Sequence, residues 1–132
     1  MIGNSSAFDA AVVTFNSDTG ANYTRHRLSG NGSAAAAGAT TGMSGAYINS
    51  AGGYPSTSNI FGASVIDILD YTNTNKYTTI RTLSGEDLNG TGWVEMTSNL
   101  WLNTAAITRI DIAALGGNWN TNSAFALYGI KG

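Results

Sequence analysis

The chain has 132 residues, 11% of them charged and 42% hydrophobic, with a formal net charge of −2. This length suits a single domain, residues 1–132, with a core of its own. So large a hydrophobic share excludes a disordered chain, and the small negative charge offers nothing to nucleic acid or an anionic membrane. There is no cysteine, so disulfides, thiolate metal sites and cysteine nucleophiles are excluded.

Phe8 to Phe15 reads as a first strand, and Asn16-Ser17-Asp18-Thr19-Gly20 as a turn. Asn22 to Leu28 returns as a strand, with Tyr23, Arg25 and Arg27 on one face and Thr24, His26 and Leu28 on the other. The small-residue run Ser29 to Gly42 reads as a loop, because glycines stand on both sides of its four alanines and no amphipathic period supports a helix. Met43 to Ser50 is the next strand. Phe61 to Leu83 then forms the longest hairpin. Its apolar block of Val65, Ile66, Ile68 and Leu69 suits a strand covered on both faces, and Asp70 to Asn75 supplies the turn. Ser84 to Gly90 reads as a turn, Thr91 to Ser98 and Ile107 to Ala114 as strands, and Ala124 to Ile130 as the last strand. About eight short strands, Gly/Asn turns and no significant helix predict an all-β fold. The architecture expected is an antiparallel β-sandwich of jelly-roll type.

Several groups suggest chemistry. Asp18-Thr19-Gly20 matches the core of an aspartic-protease motif, whose mechanism needs two carboxylates sharing a proton. Polar residues precede it where that motif carries apolar strand residues, so a turn is the better reading. Glu86-Asp87-Leu88-Asn89-Gly90 resembles part of a calcium loop. It supplies three side chains where calcium takes six to eight oxygens, so no cofactor is expected, with calcium the one candidate. His26 is the single histidine, and it lies between Arg25 and Arg27, which read as a solvated strand face. Trp93 and Trp101 fall in strands and read as core. Trp119 falls in an Asn-rich loop, where with Tyr54, Asn118 and Asn120 it would offer a glycan both stacking and amide hydrogen bonds. Met1-Ile2-Gly3-Asn4 lacks the basic and apolar regions of a signal peptide.

One ordered set of residues resembles a known family. Phe15-Asn16-Ser17-Asp18-Thr19-Gly20-Ala21-Asn22-Tyr23 is followed by Gly30-Asn31-Gly32-Ser33, then Phe61-Gly62, Ile66-Asp67-Ile68 and Asn75-Lys76-Tyr77. Leu100-Trp101, Thr104 to Ile110 and a terminal Leu127-Tyr128-Gly129-Ile130-Lys131 complete it. The set resembles a domain of tailed-bacteriophage structural proteins. The resemblance implies a non-enzymatic virion surface protein, made in the host cytoplasm and released by lysis. A capsid decoration or cement role is expected, with the major capsid protein or another virion protein as partner and a homo-oligomer, a trimer above others, as assembly. A tail-fibre domain binding a host-surface glycan is the alternative. Such domains carry further strands before the first strand seen here. The implied consequence is an open edge along Phe8, Val12, Val13 and Phe15, covered by a neighbouring copy or another virion protein.

Overall fold

The structure, a computed structural model, describes residues 9–51, 60–115, 118–119 and 121–131. Eight strands are formed among the described residues: β1 (Asp9–Phe15), β2 (Tyr23–Gly30), β3 (Ala35–Met43), β4 (Ala46–Ala51), β5 (Ala63–Ile68), β6 (Thr78–Asp87), β7 (Gly92–Trp101) and β8 (Ile110–Ala114). No helix occurs among the described residues. All pairings are antiparallel. One sheet has the order β4-β1-β8 and the other β3-β2-β7-β6-β5. Strand β4 lies against β6 and β7, so the two sheets face one another as a β-sandwich, as the strand pattern predicts.

The turn after β1 follows from its sequence. Asp18 N donates to Phe15 O at 2.8 Å, and the residues between them, Asn16 and Ser17, have φ of 52° and 61°. Two positive φ values in succession mark a type I′ turn, and Asn is well suited to that region. The turn does not close a hairpin. It carries the chain from one sheet to the other, since β1 and β2 lie in different sheets. A second I′-like turn joins β6 to β7 at Asn89 (φ 58°) and Gly90 (φ 112°), where Leu88 N donates to Thr91 O at 2.8 Å. The turn expected over Ser84 to Gly90 is therefore confined to its last residues, and β6 runs on to Asp87.

Four further expectations are corrected. Ala35 to Met43 is a strand and not a loop. Small side chains have little strand preference of their own, but the ladder to β2 from Thr40 to Ala35 holds the segment. Gly38 also leaves space for Arg27, whose Nε lies 3.2 Å from where a Cβ would stand. Next, β5 is an edge strand with Val65 exposed, so its apolar block is not covered on both faces. Third, Ala124 to Ile130 pairs with no strand among the described residues. Finally, β1 is not an edge. Val12 pairs with Tyr47 on one side and Ala113 on the other, and Val13 and Phe15 are fully buried. Later strands β4 and β8 supply the neighbours that the resemblance led one to seek upstream. Phe8 lies outside the described residues.

The core sits between β1 and the near ends of β2 and β7. Phe15, Tyr23 and Trp101 form an aromatic triad with ring centroids 5.4 to 6.4 Å apart. Val13, Ile48, Ile80 and Ile107 close around it. The Tyr23 hydroxyl is satisfied on both sides, accepting from Phe15 N at 3.0 Å and donating to Asp18 O at 3.3 Å.

Candidate functional site

The ladders set the five-stranded sheet in rows that alternate between its two faces. On the inner face, Tyr23 and Thr78 flank Trp101, followed by the row Arg25–Asn99–Ile80, then Arg27–Thr97–Thr82, then Ser29–Glu95–Ser84, and last Trp93–Glu86. The interior thus passes from aromatic at one end to polar and charged at the other. On the outer face one row is Leu28–Met96–Leu83–Val65, crossing four strands in register, with Ala37 beside Leu28 on the fifth. Val94 stands in the next row, between Gly30 and Gly85. Leu28, Val65, Leu83, Val94 and Met96 are each between 50% and 62% exposed. Beside them runs the polar row His26–Ser98–Arg81–Asp67, in which Arg81 donates to Asp67 at 2.7 and 3.2 Å. At roughly 100 Å² for each half-exposed side chain, the five contribute on the order of 500 Å², near the top of what a monomer exposes in one patch. This face is the candidate functional site.

Behind it the polar half of the interior is organised around Glu95, whose side chain is fully buried. Arg27 approaches it at 3.5 Å and Arg25 at 3.9 Å. Trp93 Nε1 donates to it at 3.4 Å. Arg25 also lies over the Tyr47 ring, 5.8 Å from its centroid. Burial lowers the Arg25 pKa, opposed by the attraction of Glu95. The arginines expected on a solvated face are therefore turned inward. Next to them the Thr82 and Thr97 hydroxyls bond at 2.5 Å, and Asn99 donates to Thr97 at 2.9 Å. Glu86 is buried with one carboxylate oxygen lacking a hydrogen-bond partner, and burial raises its pKa.

The motif residues brace the fold. Asp18 accepts from Gly20 N at 2.9 Å, from Asn22 Nδ2 at 3.0 and 3.1 Å, and from Trp101 Nε1 at 2.8 Å. The Trp101 bond is the main cause of its lowered pKa. Asn16 Oδ1 accepts from Thr108 N and Arg109 N, and its Nδ2 donates to Ala106 O, which ties the approach to β8 onto the end of β1. Asp18 thus acts as a three-donor clamp between a turn and the core. In the segment read as part of a calcium loop, Glu86 points inward while Asp87 is exposed, and Asp87 accepts from Asn89 N at 2.8 Å in a local turn. No group of three metal-ligating side chains forms among the described residues.

Of the proposed glycan residues, Trp119 is half-buried and meets Phe125 edge-on, centroids 4.7 Å apart. The two border a cleft of about 380 Å³ together with Phe61, Asn122 and Ser123. Asn118 is exposed but does not line that cleft; Tyr54 and Asn120 lie outside the described residues. The outer-face residues were missed in the sequence. Parity along β7 was the available signal: with Trp93 and Trp101 directed inward, Val94 and Met96 must point outward. Comparison with protein-family models, with curated proteins and with solved structures gave no match.

Proposed function

We propose that this chain is a non-catalytic structural protein on the surface of a tailed-bacteriophage particle, a decoration or cement protein that docks on neighbouring virion subunits. The observation that carries the reading is the exposed apolar row Leu28–Met96–Leu83–Val65. It crosses four of the five strands of the larger sheet in register and leaves several large side chains half-exposed on one face. A broad exposed apolar patch with a polar row beside it suits a protein surface better than a small ligand. The phage assignment rests on the ordered motifs from Phe15 to Lys131, and the two layers are read as a jelly-roll variant.

Quantitative mass spectrometry of purified particles tests this. Copies comparable to the major capsid protein are expected. A few copies per particle would move the protein to the tail, and absence from particles would end the virion reading. The cleft beside Trp119 favours a second reading, a glycan-binding tail-fibre domain, because three aromatic rings and Asn122 and Ser123 share its lining. A glycan array separates the two, since a cement protein shows no sugar preference.

A further inference from the structure

We propose that the segment Ala124–Ile130 of one copy adds as a strand to the β3 edge of a second copy, extending that copy's five-stranded sheet. The segment has strand character and pairs with no strand among the described residues. From Ser123 to Lys131 the chain runs without turn or bend. None of residues 124–131 makes a hydrogen bond among the described residues. Leu127, Tyr128 and Ile130 are 83%, 84% and 92% exposed. Phe, Leu, Tyr and Ile in a charge-free stretch are residues that strands favour and water does not. Phe125 meets Trp119, but the backbone groups of the segment and the side chains of Leu127, Tyr128 and Ile130 are left unused among the described residues of a single copy.

The acceptor is chosen by comparing the four sheet edges, β3, β4, β5 and β8. Strand β5 carries Asp67 and β8 carries Asp111, charges of the kind that protect an edge from pairing. Strand β4 is uncharged but has six residues, and Ala46 and Ile48 are buried in the core. Strand β3 has nine residues, Ala35–Met43, with neither charge nor proline, and all but Gly38 and Met43 are exposed. Its Ala, Gly and Thr side chains leave space on both faces for the larger side chains of an incoming strand. Its length matches the straight C-terminal segment. Main-chain hydrogen bonds would supply affinity, as in other strand additions. The contact is heterologous, so repetition closes a ring or propagates a filament. The inference concerns the purified chain alone and stands apart from the virion reading.

Sedimentation velocity on the full chain and on Leu127→Pro/Tyr128→Pro tests it. Neighbouring prolines remove donors on both sides of a strand, yet cost the single copy no hydrogen bond, so the variant's thermal midpoint should equal that of the parent. The parent should be oligomeric and the variant monomeric. Amide exchange at 125–130 and in β3 should be slowed more than about tenfold in the parent and released together in the variant. A synthetic peptide of residues 122–132 should compete and dissociate the parent oligomer. A monomeric parent with unprotected amides at 125–130 overturns the proposal. So does an oligomer that survives the prolines, or protection of the segment without protection of β3.

Discussion

On the inner face of the five-stranded sheet, Ser29, Thr82, Ser84, Glu95, Thr97 and Asn99 are buried, while on the outer face Leu28, Val65, Leu83, Val94 and Met96 stand in water. The inner groups are held by hydrogen bonds and ion pairs: Thr82 with Thr97, Asn99 with Thr97, and Arg25 and Arg27 with Glu95. The outer ones stay half-exposed among the described residues. The difference teaches that apolarity alone does not say which face of a sheet is internal. Two aromatic anchors, Tyr23 and Trp101, fix which parity of β2 and β7 points inward. The remaining side chains on those strands follow, polar or not.

The comparison breaks most severely at Glu95. Glu95→Ala leaves Arg25 buried without its counter-charge and should cost about 3–5 kcal/mol in urea unfolding. Arg27, more exposed, can turn to solvent. Replacing Arg25 and Arg27 by Met and Glu95 by Leu together should recover much of the loss. Trp101→Phe removes the donor to Asp18 Oδ2 and also leaves a cavity where the second ring of the buried indole stood, at a cost of about 2–4 kcal/mol near neutral pH. Asp18's pKa is lowered by folding, so its contribution is present above its ordinary value of 3.8 and is lost as pH falls through the folded value. The deficit of Trp101→Phe should therefore shrink in acid, which unfolding curves across the acid limb would read.

Glu86 has the opposite sign. Its raised pKa means that the folded state binds the proton more readily, so stability falls as pH rises from the ordinary 4.5 through the folded value. Glu86→Gln should remove that decline, and melting midpoints at acid and neutral pH should lie closer together than in the parent. The smallest effect on stability is expected on the outer face. Leu83→Lys and Met96→Lys should each change unfolding free energy by less than about 0.5 kcal/mol, while abolishing retention on particles in a co-sedimentation assay. A large loss of stability would mean that the row packs within the chain after all.

Much of the fold was legible. Alternation and Asn/Gly turns mark β1, β2, β6 and β7, because large residues there repeat with period two and the turn residues tolerate positive φ. Strand β3 was not legible, since Ala and Gly carry no periodic signal and only the ladder to β2 makes them a strand. The Ala124–Ile130 segment has a strand's sequence and no ladder, and a local pattern cannot say whether a partner exists. Arg25 and Arg27 misled for a related reason. Charge suggests exposure, but their buried partner Glu95 sits some 70 residues away, on a strand that only the pairing brings alongside. The outer row was hidden because its members belong to four different strands.

The most direct test of the outer face is the rate of Met96 oxidation by dilute peroxide, in the isolated chain and in assembled particles. Met96 is half-exposed and Met43 is buried, so one chain carries both the probe and its control. Rapid sulfoxide formation at Met96 in the free chain, strong protection in particles and slow oxidation of Met43 in both is the predicted result. Equal Met96 oxidation in the two states would contradict the claim that this face is where the protein meets its partner.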